Sequence, residues 1–130
     1  MIKFDLTYII DDDSIFVFVL KKILCKIEGF NTIKNIKNGH EAIINLKSLY
    51  DNNEVFPDII FLDINMPMLD GWQFLEEIEM LPFKEKLNIY LVSSTIDNRE
   101  IEKFKEYSTV KNFISKPVNA TGLIQLLGIK

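Results

Sequence analysis

The sequence predicts an α/β fold, a doubly wound parallel sheet with helices on both faces. Short apolar runs alternate with longer stretches at helical spacing, which gives five strands and five helices in alternation. Glycine and capping residues separate these segments. The length of 130 residues, 48% of them hydrophobic, suits one core and not two, so we expect a single domain over residues 1–130.

The elements of the first half begin with an apolar strand that ends in three aspartates. Asp13 or Ser14 is a suitable N-cap for the following helix, which Gly29 ends. A weak, polar strand comes next, and the turn Asn38-Gly39 precedes the second helix. In order, these elements are predicted at residues 6–10, 14–27, 32–36 and 41–50.

The second half opens with the clearest strand, an apolar run that leads into Asp63. A loop containing Pro67 and Asp70-Gly71 precedes the third helix, and Lys116-Pro117 separates the last strand from the last helix. The strands are predicted at residues 59–62, 89–92 and 113–115, and the helices at about 72–80, 99–107 and 120–127.

Composition excludes several classes of protein. The net charge is -4 with lysines and acids intermixed, which argues against a nucleic-acid surface. The longest apolar run, residues 15–20, is too short for membrane insertion, and the N-terminus lacks a signal-peptide pattern. The single cysteine, Cys25, fits a reducing compartment, so we expect a cytoplasmic protein, with Cys25 as a small buried residue.

Polar side chains follow four of the predicted strands. Asp11 and Asp12 follow the first strand, Asp63 the third, Ser93 the fourth and Lys116 the fifth. In a doubly wound sheet the carboxyl ends of the strands share one edge, where ligands bind. Each residue alone has an ordinary structural explanation, but together they predict a site of three carboxylates, a hydroxyl and an ammonium.

The chemistry of this set favours phosphoryl transfer to a carboxylate. Three close carboxylates repel one another and need a cation, and oxygen ligands without cysteine or histidine indicate Mg²⁺ before zinc. Asp12 and Asp63 are candidate carboxylate ligands, with a backbone carbonyl near Asn65. A carboxylate is also a possible nucleophile towards phosphorus, while Lys116 and Ser93 are suited to bind phosphoryl oxygens.

The chain resembles the receiver domains of bacterial response regulators over essentially its whole length. The resemblance is carried by the acidic group Asp11-Asp12-Asp13, the segment Asp63-Ile64-Asn65-Met66-Pro67-Met68-Leu69-Asp70-Gly71, the pair Ser93-Ser94 and the pair Lys116-Pro117. It implies the flavodoxin-like strand order 2-1-3-4-5. It also implies a phosphoaccepting switch of a two-component system or phosphorelay, and not an enzyme with its own turnover.

The resemblance also implies roles for individual residues. Asp63 would be phosphorylated by a sensor histidine kinase or histidine phosphotransfer protein. Mg²⁺ would be bound by Asp12, Asp63 and the main-chain carbonyl of Asn65, with Asp11 acting through water. Ser93 and Lys116 would bind the phosphoryl group, and the Lys116–Pro117 bond would be cis. The output would act on a downstream target protein.

Two positions depart from the commonest family pattern. Ser93 stands where threonine is commoner, which keeps the hydroxyl. Phe113 stands at the aromatic switch position, where tyrosine is frequent, so it lacks a hydroxyl with which to report the phosphorylated state.

The first helix has more apolar residues than one face accommodates. The core candidates, at helical spacing, are Phe16, Val19, Leu20, Ile23, Leu24 and Ile27. Ile15, Val17 and Phe18 are left over. They either lie beneath neighbouring elements or dock a phosphodonor, and we assign Ile15 and Phe18 to the docking hypothesis. His40 is interpreted as a surface imidazole and Trp72 as a partly buried packing residue.

Three other functions fit parts of the pattern. Asp11 and Asp13 have the spacing of a haloacid-dehalogenase-type phosphatase, with Asp11 as nucleophile and Asp13 as acid, but this alternative leaves Asp63 without its best role. A flavodoxin-like cofactor binder needs a loop that attracts phosphate where this chain has three aspartates. A receiver-like interaction module without phosphorylation would not need every motif residue.

Overall fold

The computed structural model describes residues 4–66, 69–94 and 98–128. Within these ranges the elements are, in order, β1 (Phe4–Ile10), α1 (Ser14–Lys26), β2 (Phe30–Ile36), α2 (Gly39–Asp51), β3 (Ile59–Asp63), α3 (Gly71–Glu79), β4 (Ile89–Ser93), α4 (Asn98–Phe104), β5 (Val110–Ser115) and α5 (Ala120–Leu127). A short 3₁₀ helix, Lys84–Lys86, which we did not predict, precedes β4. All strand pairs are parallel, in the order β2-β1-β3-β4-β5, which confirms the predicted fold class.

The sheet has a hydrophobic core on each face, because successive side chains of a strand point to opposite faces. On one face, Tyr8, Ile10, Ile60 and Leu62 pack against α2 and α3. On the other face, Ile9, Phe61 and Val92 pack against α1 and α5. All five residues of β3 are buried, as expected for the central strand of a sheet covered on both sides. The carboxyl edge, where β1 and β3 end, is therefore held from both faces.

The buried stripe of α1 differs from the prediction. Val17 is buried although we expected it off the core face, and Val19 is 44% exposed although we expected it in the core. Cys25 is exposed, so its assignment as a small buried residue was wrong. Successive residues of a helix are rotated by roughly 100° about its axis, so Val17 and Val19 lie on opposite borders of the apolar stripe. A modest rotation of α1 about its axis therefore buries Val17 and exposes Val19. By the same spacing, Cys25 lies on the far side from the fully buried Leu20.

Three strands begin earlier than predicted, and α4 ends earlier. β1 begins at Phe4 rather than at residue 6. β2 extends back to Phe30, which pairs with Phe4 in β1 and stacks on its ring at 4.6 Å between centroids. β5 begins at Val110, which pairs with Ile89. After α4 ends at Phe104, the N–H of Tyr107 donates to the Phe104 carbonyl at 3.1 Å, a bond that forms a tight turn rather than another α-helical turn. The strand starts were missed because polar residues separate Phe4, Phe30 and Val110 from the apolar runs that follow them.

The interpretations of His40 as a surface residue and of Trp72 as a partly buried packing residue are confirmed. His40 is exposed and Trp72 is half-buried, the latter with its ring 6.1 Å from that of Tyr107. Pro67 and Met68, which belong to the segment that resembles the phosphoacceptor loop, lie outside the described residues. No helix in the described ranges is both long and apolar enough to cross a membrane.

The start of α3 packs directly against the end of β3. Asp70 and Gln73 form a capping box, in which the side chain of each residue accepts a hydrogen bond from the backbone N–H of the other. The N–H of Gly71 donates to the Ile64 carbonyl at 2.8 Å. A Cβ atom on Gly71 would lie 2.7 Å from the Cα of Ile64 and 3.0 Å from the carbonyl oxygen of Asp63. Glycine is therefore required here by close approach of two backbone segments.

We expect Gly71→Ala to lower the free energy of unfolding by roughly 1–3 kcal/mol, because the clash is with backbone that must shift. Urea unfolding at neutral pH measures this change. Gly122→Ala in α5 is the matched control, since its Cβ would meet only the Asn119 side chain. The control should leave stability unchanged or raise it by up to about 1 kcal/mol. Equal effects of the two substitutions would contradict the argument from close approach.

Candidate functional site

The carboxyl end of β1 places Asp11 in the interior and Asp12 at the surface. Asp11 is 1% exposed, and its Oδ1 atom accepts a hydrogen bond from the N–H of Asp13 at 2.9 Å. The backbone on either side is held by Asn35 of β2, whose side-chain amide donates to the carbonyls of Ile9 (2.8 Å) and Asp11 (3.1 Å). Asp12 is exposed. The loop after β1 thus presents one buried and one accessible carboxylate.

Asp13 caps α1 and does not join the other two carboxylates. Its Oδ1 atom accepts from the N–H groups of Ile15 and Phe16, at 3.1 and 3.2 Å. This bonding satisfies two donors at the start of the helix, as an N-cap should. The arrangement disfavours the phosphatase alternative, which needs Asp13 as a general acid.

Asp63 ends β3 beside Asp11. Ile10 of β1 pairs with Leu62 of β3, so the residues that follow them are neighbours at the sheet edge. Asp63 is 4% exposed, and its Oδ1 atom accepts from the N–H of Asn65 at 3.1 Å. Oxygen atoms of Asp11, Asp12 and Asp63 all lie within 4.8 Å of one another. The structure therefore brings together the three carboxylates that the sequence singled out.

Burial and mutual repulsion raise the pKa values of the two interior carboxyls. Desolvation and the neighbouring Asp11 charge raise the pKa of Asp63 to about 7, although the Asn65 N–H and Lys116 oppose the shift. Burial also raises the pKa of Asp11, against the opposing effects of the Asp13 N–H and Lys116. Because the two carboxyls interact, a proton bound near neutral pH is shared by Asp11 and Asp63 and is not assigned to either one alone.

Lys116 provides the positive charge that faces this pair. Its backbone N–H donates to the Ser93 carbonyl at 2.9 Å, which ties the end of β5 to the end of β4. Its ammonium lies 3.3 Å from Asp11 Oδ2 and 3.9 Å from Asp63 Oδ1. The Lys116–Pro117 peptide bond is cis, as the resemblance implied. Lysine and carboxylates from three strands thus meet at one edge.

Ser93 lies on the Asp63 side of the cluster. It is fully buried, and the side-chain amide of Asn65 lies 3.4 Å from its hydroxyl oxygen. Val92, the residue before Ser93, pairs with Asp63 across the sheet. The hydroxyl is therefore close to the Asp63 loop, as the sequence predicted.

Phe113 is half-buried and packs against α4. Its ring makes an edge contact with Phe104 of α4, with centroids 5.3 Å apart. On the neighbouring surface, the Lys103 ammonium lies 4.6 Å from the centre of the Trp72 ring. Aromatic and cationic contacts therefore join α4 to β5 and to α3.

Ile15 and Phe18 are exposed on α1, at 76% and 60% of their surface. The ammonium of Lys22 lies 5.1 Å from the centre of the Phe18 ring. Among the described residues, neighbouring elements do not cover these two side chains. The alternative prediction, that Ile15 and Phe18 lie beneath neighbouring elements, is therefore wrong.

The residues fit a hard divalent cation. Asp11 Oδ2 is buried and makes no hydrogen bond within the described ranges, although the Lys116 ammonium is 3.3 Å away. The two groups form an ion pair. Three carboxylates with an unsatisfied oxygen and one ammonium retain an excess of negative charge, which a cation would balance. The donor set contains only oxygen, which suits Mg²⁺ better than zinc.

Sequence reasoning missed two residues of the site, Asn35 and Phe16. Asn35 lies in a polar strand with no motif, and its contact with the Asp11 carbonyl depends on the pairing of β1 with β2. Phe16 was expected only as a core residue, but its ring also contacts the Lys116 ammonium, at 4.3 Å from the ring centre. Both contacts join residues that are far apart in the sequence, so no local sequence pattern indicates them.

Comparison with known proteins gives one consistent family. Residues 7–128 match the response regulator receiver domain. The chain is 30% identical over 122 residues to chemotaxis protein CheY of Listeria monocytogenes, covering 94% of this chain and 95% of that protein. A two-component response regulator from Cytophaga hutchinsonii is 33% identical with a TM-score of 0.86, covering 97% of this chain and 96% of that one. Chemotaxis protein CheY4 of Vibrio cholerae, 18% identical with a TM-score of 0.78, shares the fold.

The raised pKa of Asp63 predicts a specific pH dependence in metal-free buffer. Between the ordinary value of 3.8 and the folded value of about 7, the folded chain holds a proton that the unfolded chain has lost. Raising the pH through this window therefore reduces stability, and the loss is complete above the folded pKa. We expect Asp63→Asn, which cannot ionise, to match wild type near pH 4 and to be more stable by roughly 2–4 kcal/mol at pH 8.

Urea unfolding of both proteins in EDTA at a series of pH values measures this difference. Asp51→Asn is the control, because Asp51 is an exposed residue at the far end of α2. A difference between Asp63→Asn and wild type that stays constant with pH would show that burial does not raise this pKa.

Proposed function

The chain belongs to the family of response regulator receiver domains, and we propose that it is a phosphoryl-accepting switch whose phosphorylation site is Asp63. It acts in two-component signalling. We further propose that residues 1–130 form one receiver domain, located in the cytoplasm. The observation that carries the proposal is the buried Asp63 carboxylate, beside a second carboxylate and facing the Lys116 ammonium.

The proposed cofactor is Mg²⁺. The carboxylates of Asp12 and Asp63 and the main-chain carbonyl of Asn65 would bind it directly, with Asp11 acting through water. A bound divalent cation neutralises charge on transferring phosphoryl oxygens. The proposal is supported by the closeness of the three carboxylates and by the unsatisfied Asp11 oxygen.

In the proposed reaction, an oxygen of the ionised Asp63 carboxylate forms a bond to phosphorus of the donor. The bond from phosphorus to the donor nitrogen or oxygen breaks, and its electron pair leaves with the donor group. Lys116 pairs with a phosphoryl oxygen in place of its contact with Asp63, and the Ser93 hydroxyl donates to another. These residues position and stabilise charge, so the protein is a phosphoacceptor that at most promotes its own phosphorylation and dephosphorylation.

The proposed output is a change at the α4–β5 surface. A phosphoryl group on Asp63 adds negative charge and acceptor oxygens beside Ser93 and Lys116. Ser93 and Lys116 lie at the ends of β4 and β5, and Phe113 in β5 contacts α4 through Phe104. A shift of the two strand ends would therefore alter the packing of Phe113 and the surface available to a downstream target protein.

A sensor histidine kinase or histidine phosphotransfer protein is the proposed phosphodonor, and its docking residues on this chain are Ile15 and Phe18. Both are exposed apolar residues within the first turns of α1, which begins beside the acidic cluster. An exposed apolar pair at this place suits an apolar face of a donor helix.

Incubation with acetyl phosphate and Mg²⁺ should add one phosphoryl group to wild type and none to Asp63→Asn, because only the carboxylate has a nucleophilic oxygen. Intact mass spectrometry measures the gain. EDTA should prevent it, and Asp12→Asn should slow it by roughly tenfold or more through loss of a metal ligand. Asp51→Asn should behave as wild type. Phosphorylation of Asp63→Asn would assign the reaction to another residue, and no gain in wild type would contradict phosphorylation by this donor.

Phe18→Asp should slow phosphoryl transfer from a histidine donor by roughly tenfold or more, because it places a charge in an apolar contact. Transfer from acetyl phosphate should stay at the wild-type rate, since a small donor needs no docking surface. Val55→Asp is the matched control, as Val55 is 76% exposed in the connection between α2 and β3. Equal rates for Phe18→Asp and the control with the histidine donor would refute docking at Phe18.

A further inference from the structure

The Lys116 ammonium has a third neighbour besides the two carboxylates. It lies over the ring of Phe16, 4.3 Å from the ring centre. The Lys116 side chain is only 17% exposed, so these contacts lie largely out of water. Its backbone is fixed by the bond to the Ser93 carbonyl. The position of the ammonium therefore depends on Phe16 as well as on Asp11 and Asp63.

The Phe16 ring is itself held in place. Phe16 is 9% exposed and belongs to the core between α1 and the sheet, with Val92 and Leu123. Its backbone N–H donates to the capping carboxylate of Asp13, which fixes the first turn of α1. The ring thus presents a rigid surface to the lysine.

The ring face attracts a cation through its negative quadrupole, and it does so most strongly where water is excluded. Unlike a carboxylate, it does not occupy a particular N–H donor of the ammonium. Lysine has three such donors. The ring therefore keeps the ammonium at the acidic cluster while its donors remain available for new acceptors.

We propose that Phe16 is a positioning residue for Lys116, holding the ammonium where it can pair with the phosphoryl group on Asp63. The expected effect on the rate of phosphorylation rests on the proposed function, whereas the contact between Phe16 and Lys116 does not depend on it. Without the ring, the ammonium keeps, among the contacts of the described residues, those with the two carboxylates, and it samples positions farther from Asp63. Phe16 acts through Lys116 and has no bond to the reacting atoms.

The first test measures the contact. A proton over a ring face has its NMR signal shifted upfield, so the ε-methylene protons of Lys116 should be shifted in wild type. The shift should persist in Phe16→Tyr and disappear in Phe16→Leu, which keeps an apolar side chain without a ring. Absence of the shift in wild type would overturn the inference whether or not Asp63 is phosphorylated.

The second test is a double-mutant cycle on the rate of phosphorylation by acetyl phosphate and Mg²⁺. Phe16→Leu should slow the reaction roughly three- to tenfold, and Phe16→Tyr should restore the wild-type rate. In a Lys116→Met background, Phe16→Leu should cause no further loss. If Phe16→Leu melts below the assay temperature, Phe16→Met supplies another ringless apolar side chain.

An equal loss with and without Lys116 would mean that Phe16 acts only through packing, and a wild-type rate in Phe16→Leu would mean that the ring has no part in positioning. Either result overturns the inference while leaving Asp63 as the phosphorylation site. Failure of wild type to take up phosphate from any donor would instead overturn the proposed function, and the rate effect with it.

Discussion

Repulsion between the buried carboxylates of Asp11 and Asp63 is the constraint on which the rest of the site depends. Both groups lie almost entirely out of water, and the pKa of Asp63 is raised to about 7 by burial and by the Asp11 charge. Such a pair persists only where neighbouring groups offset its charge. The N–H groups of Asp13 and Asn65 each donate to one carboxylate, and Lys116 faces both.

The sheet enforces this closeness. Parallel pairing of Ile10 with Leu62 makes the next residues of β1 and β3 neighbours, and pairing of Ser93 with Ser115 brings the residue after β5 to the same edge. Two cores, one on each face, hold β1 and β3 in this register. A one-residue slip would turn every side chain of a strand to the opposite face, so hydrophobic burial of residues such as Ile9 and Ile10 stabilises the register and with it the geometry of the site.

Most of the fold and the main site could be predicted because both depend on local patterns. Strand-like runs that lead into Asp11 and Asp63, and the N-cap at Asp13, are visible in short segments and were found in the structure. The errors concern properties that depend on tertiary contacts. The rotation of α1 about its axis decides that Cys25 is exposed, and it is set by packing on the sheet rather than by spacing alone. The contact of Phe16 with Lys116 joins residues a hundred positions apart, at a distance that only the folded chain defines.

The position of Lys116 in the chain has a consequence for biosynthesis. Asp11, Asp12 and Asp63 leave the ribosome well before the lysine, which follows the last strand. Until β5 pairs with β4, the acidic residues lack the one ammonium that the described structure places against Asp11 and Asp63. Docking of β5 should therefore be the step that completes the charge balance of this sheet edge. A nascent or truncated chain that lacks β5 should retain most of the hydrophobic segments of the fold but not the Lys116 ammonium at the acidic cluster. Such a chain could collapse around its hydrophobic segments before its site is complete.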